Sequence, residues 1–208
     1  MTNRLKHFKH GGLDRRRHFM ASIDSLIIHR GLFLILVLVL WSPSQALSVN
    51  EGNSEYMVKL AFLYNFTKFV EWPSTSYQNP GAPLAICIVG DDPFNQDLEM
   101  ELRTRTVGAH PVDLKRSKTS DILTACHIVF IPVTEKNQAA RIVSGLKGSS
   151  TLTVGEVEGF ALQGGIINFM IEDNKLHFEV NTLAAERAGL KISSKLLSLA
   201  KIVREPAR

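Results

Sequence analysis

Two adjacent carboxylates, Asp91 and Asp92, follow Gly90 and a six-residue apolar run, LAICIV at 84–89. A short unbroken apolar run of this kind reads as a strand buried on both faces. Ligands of open α/β sheets bind at the carboxyl ends of such strands. Paired acids there could hold a cation or support phosphoacceptor chemistry. That chemistry needs a further acid and a lysine at neighbouring strand ends, whereas the later strands end in Pro132-Val133-Thr134 and Gly155-Glu156. Capping of the next helix by Asp92 is the simpler reading. Asp91, Asp92 and Glu156 are therefore candidate ligand-binding residues rather than catalytic ones.

Other patterns carry less. Ser144 and Lys147 match S-x-x-K, but that motif works with SDN-like and KTG-like elements, which the chain lacks. Lys147, just before Gly148, suits a helix C-terminus for dipole reasons. His110, His127 and His177 have neither metal-ligand spacing nor the setting of a triad, and His127 heads a buried strand. Gly155-x-x-x-Gly159 and Gly164-Gly165 lack the Lys-Ser/Thr of a phosphate loop and read as turns. No catalytic residue, metal ligand or cofactor is expected.

The elements that would position these residues begin after a leader. Residues 1–30 are basic, with Arg15, Arg16 and Arg17 in a row, and 31–41 (GLFLILVLVLW) are apolar throughout. Ser44-Gln45-Ala46 then presents small residues to a signal peptidase, so 1–46 reads as a secretory signal cleaved after Ala46. Eleven apolar residues fall short of the roughly 20 that a membrane span needs. Met20 is an alternative start that would give a shorter signal. Arg16-Arg17 only weakly resembles a twin-arginine pattern, because Asp24 and a long gap separate it from the apolar stretch. The leader holds seven of the 24 Lys and Arg residues and two of the 20 Asp and Glu residues. What remains has a net charge of −1, which removes the electrostatic case for a nucleic-acid partner. Export would also place Cys87 and Cys126 in an oxidising compartment. Each sits in or beside a predicted central strand, where the two could pair or serve as small buried hydrophobes.

Ser54 can cap a helix over 55–70. On it Met57, Leu60, Ala61 and Tyr64 share one face, while Phe62, Phe66, Phe69 and Val70 share nearly the opposite one. Either both faces are buried, or Phe62, Phe66 and Phe69, with Trp72 beyond the helix, meet a partner. Pro73 ends the element. Strands follow at 84–89, near 112–115, at 127–132 and at 151–154, alternating with helices at 94–103 and 135–146, the latter capped by Thr134. Alternating segments at 166–172 and 175–180 flank Asp173-Asn174, a two-residue hairpin turn. Asn181 then opens a helical run stopped at Gly189. Beyond it an amphipathic last helix sets Lys191, Lys195, Lys201 and Arg204 opposite Ile192, Leu196, Leu199 and Val203. The fold class is α/β: a single domain over 47–208, with a mostly parallel central sheet, a C-terminal antiparallel hairpin and flanking helices.

The order and spacing of several stretches resemble the YfiR family of small periplasmic proteins. These are KLAFLYNFTKFVEWP, ICIVGDDPF, ACHIVFIP, LTVGE with GFA two residues on, GGIINF, LHFEVN and AAERAGLKISSKLLSLA, together spanning residues 56–203. The resemblance implies a non-catalytic, exported repressor. It would bind the periplasmic part of an inner-membrane diguanylate cyclase and hold down cyclic-di-GMP synthesis, with consequences for biofilm regulation. An outer-membrane lipoprotein would relieve repression by sequestering it. The resemblance also suggests a homodimer, and it favours a Cys87–Cys126 disulfide, since members often carry cysteines at these strand positions. The competing reading is a periplasmic small-molecule receptor or carrier that uses the strand ends near Asp91, Pro132 and Glu156.

Overall fold

The computed structural model describes residues 51–204 except Asp92, Asn95, Lys118 and Thr119. The expected export signal, its cleavage after Ala46 and the alternative start at Met20 lie outside the described residues, as does the capping role of Asp92.

A long helix α1 (Glu51–Phe69) leads into β1 (Val70–Glu71), β2 (Leu84–Val89), α2 (Gln96–Arg103), β3 (Thr106–Val107) and β4 (His110–Ser117). Then come β5 (Ile128–Ile131), α3 (Ala139–Gly145), β6 (Leu152–Gly155), β7 (Ile167–Glu172) and β8 (Lys175–Asn181). α4 (Thr182–Arg187), β9 (Lys191–Ile192), α5 (Ser194–Leu197) and β10 (Lys201–Val203) complete the chain. Among the described residues the main sheet runs β10-β8-β7-β6-β5-β2-β4-β3. Its centre, β4-β2-β5-β6-β7, is parallel, and β7-β8 is an antiparallel hairpin. The expected α/β fold with a parallel centre and a hairpin at one side is what the chain adopts.

The pattern follows from burial. Every residue of β2 is buried, because β4 and β5 flank it and both sheet faces are covered. Ile86 and Ile88 face the layer under α1, with Leu63, Phe66, Phe130, Phe169 and Phe178. Cys87 and Val89 face the other layer, with Leu123, Val129, Ile131 and α3 residues Ile142 and Val143. Cys87 and Cys126 are bonded in that second layer, with Cα atoms 6.0 Å apart. Asp173 and Asn174 both take positive φ (50° and 59°), as the twist of a two-residue hairpin requires. Asn181 caps α4 by accepting the Ala184 amide at 2.9 Å, and Gly189 (φ 70°) ends that segment.

Three expectations are corrected, and one strand went unforeseen. α1 begins at Glu51, so Ser54 lies inside the helix rather than capping it. The stretch after Pro132 is a 3-10 turn, Val133–Glu135. α3 begins only at Ala139, with no side-chain cap at Gln138, so Thr134 caps no long helix. β3 escaped detection because two residues carry no periodicity. The amphipathic last helix does not form. Lys191 and Ile192 pair with Glu71 and Val70, Ser193 caps a single turn through the Leu196 amide, and Lys201–Val203 joins β8 as a parallel edge strand. Serines at 193, 194 and 198 compete for backbone bonds, and partner strands offer Ile192 and Val203 the extended setting that β-branched residues favour.

Candidate functional site

Glu156 follows Gly155 at the carboxyl end of β6. Its position is fixed from behind by Phe160. A Cβ at Gly155 would lie 2.7 Å from the Phe160 ring, and one at Gly165 would lie 2.1 Å from it. These glycines, read as turn residues, are equally required for packing. With the backbone so held, one Glu156 oxygen, Oε1, accepts the Tyr56 hydroxyl at 2.9 Å and the Val133 amide at 2.7 Å. Oε2 pairs with the Lys59 ammonium, which also pairs with Glu55. Lys59 and Glu156 are both buried at their side chains, and the ammonium lies 4.5 Å from the centre of the Tyr56 ring. Burial, and then the Glu156 carboxylate, push the Tyr56 phenol far above its usual range. Tyr56 is therefore a standing hydrogen-bond donor and cannot act as a base.

This cluster forms one end of a cleft of about 660 Å³ over the ends of β5 and β6, beside the β7–β8 hairpin. The sheet register lines up Asn168 with Gly155 on one side and with Glu179 on the other, and Glu179 with Lys201. These residues form a polar row across β7, β8 and β10. Glu179 pairs with Lys201 at 3.1 Å. Asn168 is 2% exposed, and its Oδ1 has no hydrogen-bond partner among the described residues. Leu162, Met170 and Leu176 add apolar lining. What is assembled is a protonated phenol, ammonium groups, carboxylates and an amide: groups for pairing charge and fixing orientation.

Of the expected ligand residues, Glu156 lines the cleft and Asp91 does not. Asp91 is exposed, on the turn after β2. There Glu135 leans over Gly90 so closely that a Cβ would meet its carboxylate at 2.1 Å. Pro132 is buried at the end of β5. Ser144 and Lys147 are exposed at the end of α3.

The aromatic face of α1 is mostly core. Phe66 has no exposed surface and packs on Phe169 at 5.8 Å and Phe178 at 5.5 Å. The expectation that Phe66 offers its ring to a partner is corrected: the β7–β8 hairpin covers it. Phe62, Phe69 and Trp72 are half-buried. The Trp72 indole N–H donates to the His127 carbonyl at 3.2 Å. His127 is a core histidine, as expected, but only one ring nitrogen is satisfied, and its buried Nε2 has no hydrogen-bond partner among the described residues. Its Nδ1 accepts the Ala85 amide at 3.1 Å, and Tyr77 lies against it at 4.6 Å while stacking on His110 at 3.9 Å.

Tyr56, Lys59, Asn168 and Glu179 were not singled out from the sequence. A signal existed for Lys59. It shares a stripe with Leu63, Phe66 and Val70 at spacings of four, seven and eleven, and a lysine on a core stripe calls for a buried partner. Asn168 and Glu179 occupy ordinary alternating positions in their strands and gave no such signal.

The sequence profile described as YfiR/HmsC-like matches residues 56–201. A search of curated proteins finds no match. Two similar solved structures are a conserved domain protein from Vibrio cholerae o1 biovar eltor (14% identity, TM-score 0.45) and an ABC domain in complex with L-Trp from Streptococcus pneumonia (9% identity, TM-score 0.40). The alignments cover 59% and 57% of this chain respectively, and the chain spans 55% of the length of each of those proteins.

Proposed function

This chain belongs to the YfiR/HmsC-like family, and on that footing we propose that it is a non-catalytic regulatory protein of the periplasm. It binds the periplasmic part of an inner-membrane diguanylate cyclase and lowers cyclic-di-GMP. Residues 1–46 export it, and 47–208 form the working domain. The family match over 56–201 is the observation that carries this reading.

The mechanism is a population shift. The protein binds the inactive state of the cyclase more tightly than the active one, and its differential affinity sets how far synthesis falls. A competitor for the same surface, such as an outer-membrane lipoprotein, releases the enzyme. The half-buried rings of Phe62, Phe69 and Trp72 supply aromatic contact area of the kind that anchors interfaces, with Phe66 packed against Phe62. A homodimer would present two such surfaces.

The test is calorimetric titration of residues 47–208, with the disulfide intact, into the isolated periplasmic domain of each cyclase from the host. One of them should bind, and Trp72→Ala should weaken it at least tenfold under conditions where its urea curve shows it still fully folded, because losing the indole and its bond to the His127 carbonyl also lowers stability. Binding to none of them would end the repressor reading. The cleft at Glu156 favours a second reading, that of a small-molecule receptor, and its chemistry can be taken further.

A further inference from the structure

The lining of the cleft is unbalanced in charge. Glu55, Glu156, Glu158, Glu172 and Glu179 face only Lys59 and Lys201, leaving an excess of negative charge in a concave site where fields are focused. Lys59 is committed to Glu55 and Glu156. Lys201 holds Glu179 from the edge strand, but its side chain is 63% exposed while that of Glu179 is 9% exposed. Glu158 and Glu172 have no ion-pair partner among the described residues. Beside Glu179 in the register sits Asn168, buried and lining the cleft, with an acceptor oxygen that no described group satisfies. An unsatisfied buried acceptor is destabilising and is explained once a donor arrives.

We propose that this cleft binds a small organic amine, its ammonium seated between Asn168 Oδ1 and the Glu179 carboxylate and its apolar body against Leu162 and Met170. An ammonium brings three N–H donors and no acceptor, matching an unfilled carbonyl oxygen beside an anion. An anionic ligand would meet the uncompensated carboxylates. Lys201 is the resident cation that the ligand competes with or displaces, since its exposed, flexible stem leaves Glu179 at little cost. Binding at this site stands apart from the repressor reading and does not depend on any protein partner.

The experiment is titration calorimetry of residues 47–208 with 2-phenylethylamine, and with phenylacetate as the anionic counterpart, at low salt. The amine should bind and phenylacetate should not. Glu179→Gln should weaken the amine about tenfold or more, as expected when a charge-assisted hydrogen bond is lost. Lys201→Gln should tighten it severalfold by removing the competing cation. These opposite shifts separate a ligand site from a merely structural ion pair, whose loss would act in one direction. Urea midpoints of both variants are recorded. Tighter binding of phenylacetate, no binding of either probe, or equal weakening by Glu179→Gln and Lys201→Gln would overturn the proposal.

Discussion

Replacing His127 by asparagine should remove most of the acid sensitivity that this ring confers. Burial, and then the neighbouring charges of His110 and Lys115, lower its pKa from 6.5 to about 4. The local chemistry explains the direction. Nδ1 accepts the Ala85 amide, so a second proton on the ring would face an N–H donor inside the core, between Trp72 and Tyr77. The folded state therefore refuses a proton that the unfolded chain takes up at about pH 6.5. Between those two values the unfolded state binds more protons, so stability falls as pH drops from about 6.5 towards 4. Integrating that difference gives a loss of about 2 kcal/mol between pH 7 and pH 5. With a urea m-value of roughly 2 kcal/mol/M, the midpoint drops by about 1 M. The side-chain amide of the His127→Asn variant can place its oxygen near the Nδ1 position and still accept the Ala85 amide, but it cannot titrate. The variant loses ring packing at both pH values, so the quantity to compare is the midpoint difference between pH 7 and pH 5. A shift of about 1 M in the parent and under about 0.3 M in the variant is expected. An equal shift in both proteins would refute the reasoning.

Phe66→Ala should cost about 3–5 kcal/mol by urea denaturation, because it empties a fully buried ring site; a loss under about 1 kcal/mol would contradict core placement. Alkylation of the unfolded, unreduced protein should label neither Cys87 nor Cys126. Replacing both by serine should lower stability by about 4 kcal/mol, the chain-entropy value for a loop of this length. Glu156→Gln should destabilise by about 1–3 kcal/mol, since the buried Lys59 ammonium keeps only Glu55 as a charged partner, and adding Lys59→Met should restore much of that loss. If the double variant is no better than the single one, the Lys59–Glu156 pair is not the source.

The parts of the fold legible in the sequence are those with a strong local cause. LAICIV reads as a buried strand, Asp173-Asn174 can take positive φ, and Asn181 can cap α4; all three appear. The last segment was misread because Ile192, Leu196 and Leu199 keep helical spacing, yet strands far away in sequence claim both of its ends. Tertiary pairing overrode the local pattern. The face of α1 stayed open between burial and a partner surface for a related reason. Helical geometry predicts that Phe62 and Phe66 lie together, but it does not say that Phe169 and Phe178, far along the chain, will cover them. Of the cleft, only Glu156 was accessible to strand-end reasoning. Asn168 and Lys201 join it through the register of β6, β7, β8 and β10, which no single segment encodes.

Cellular cyclic-di-GMP, measured after deletion of the gene from its host and again after restoration by an exported copy, tests the regulatory account most directly. The account predicts a rise on deletion that the exported copy reverses and a copy lacking residues 1–46 does not. An unchanged level on deletion would contradict it, and the amine-binding cleft would then become the leading clue to what this protein senses.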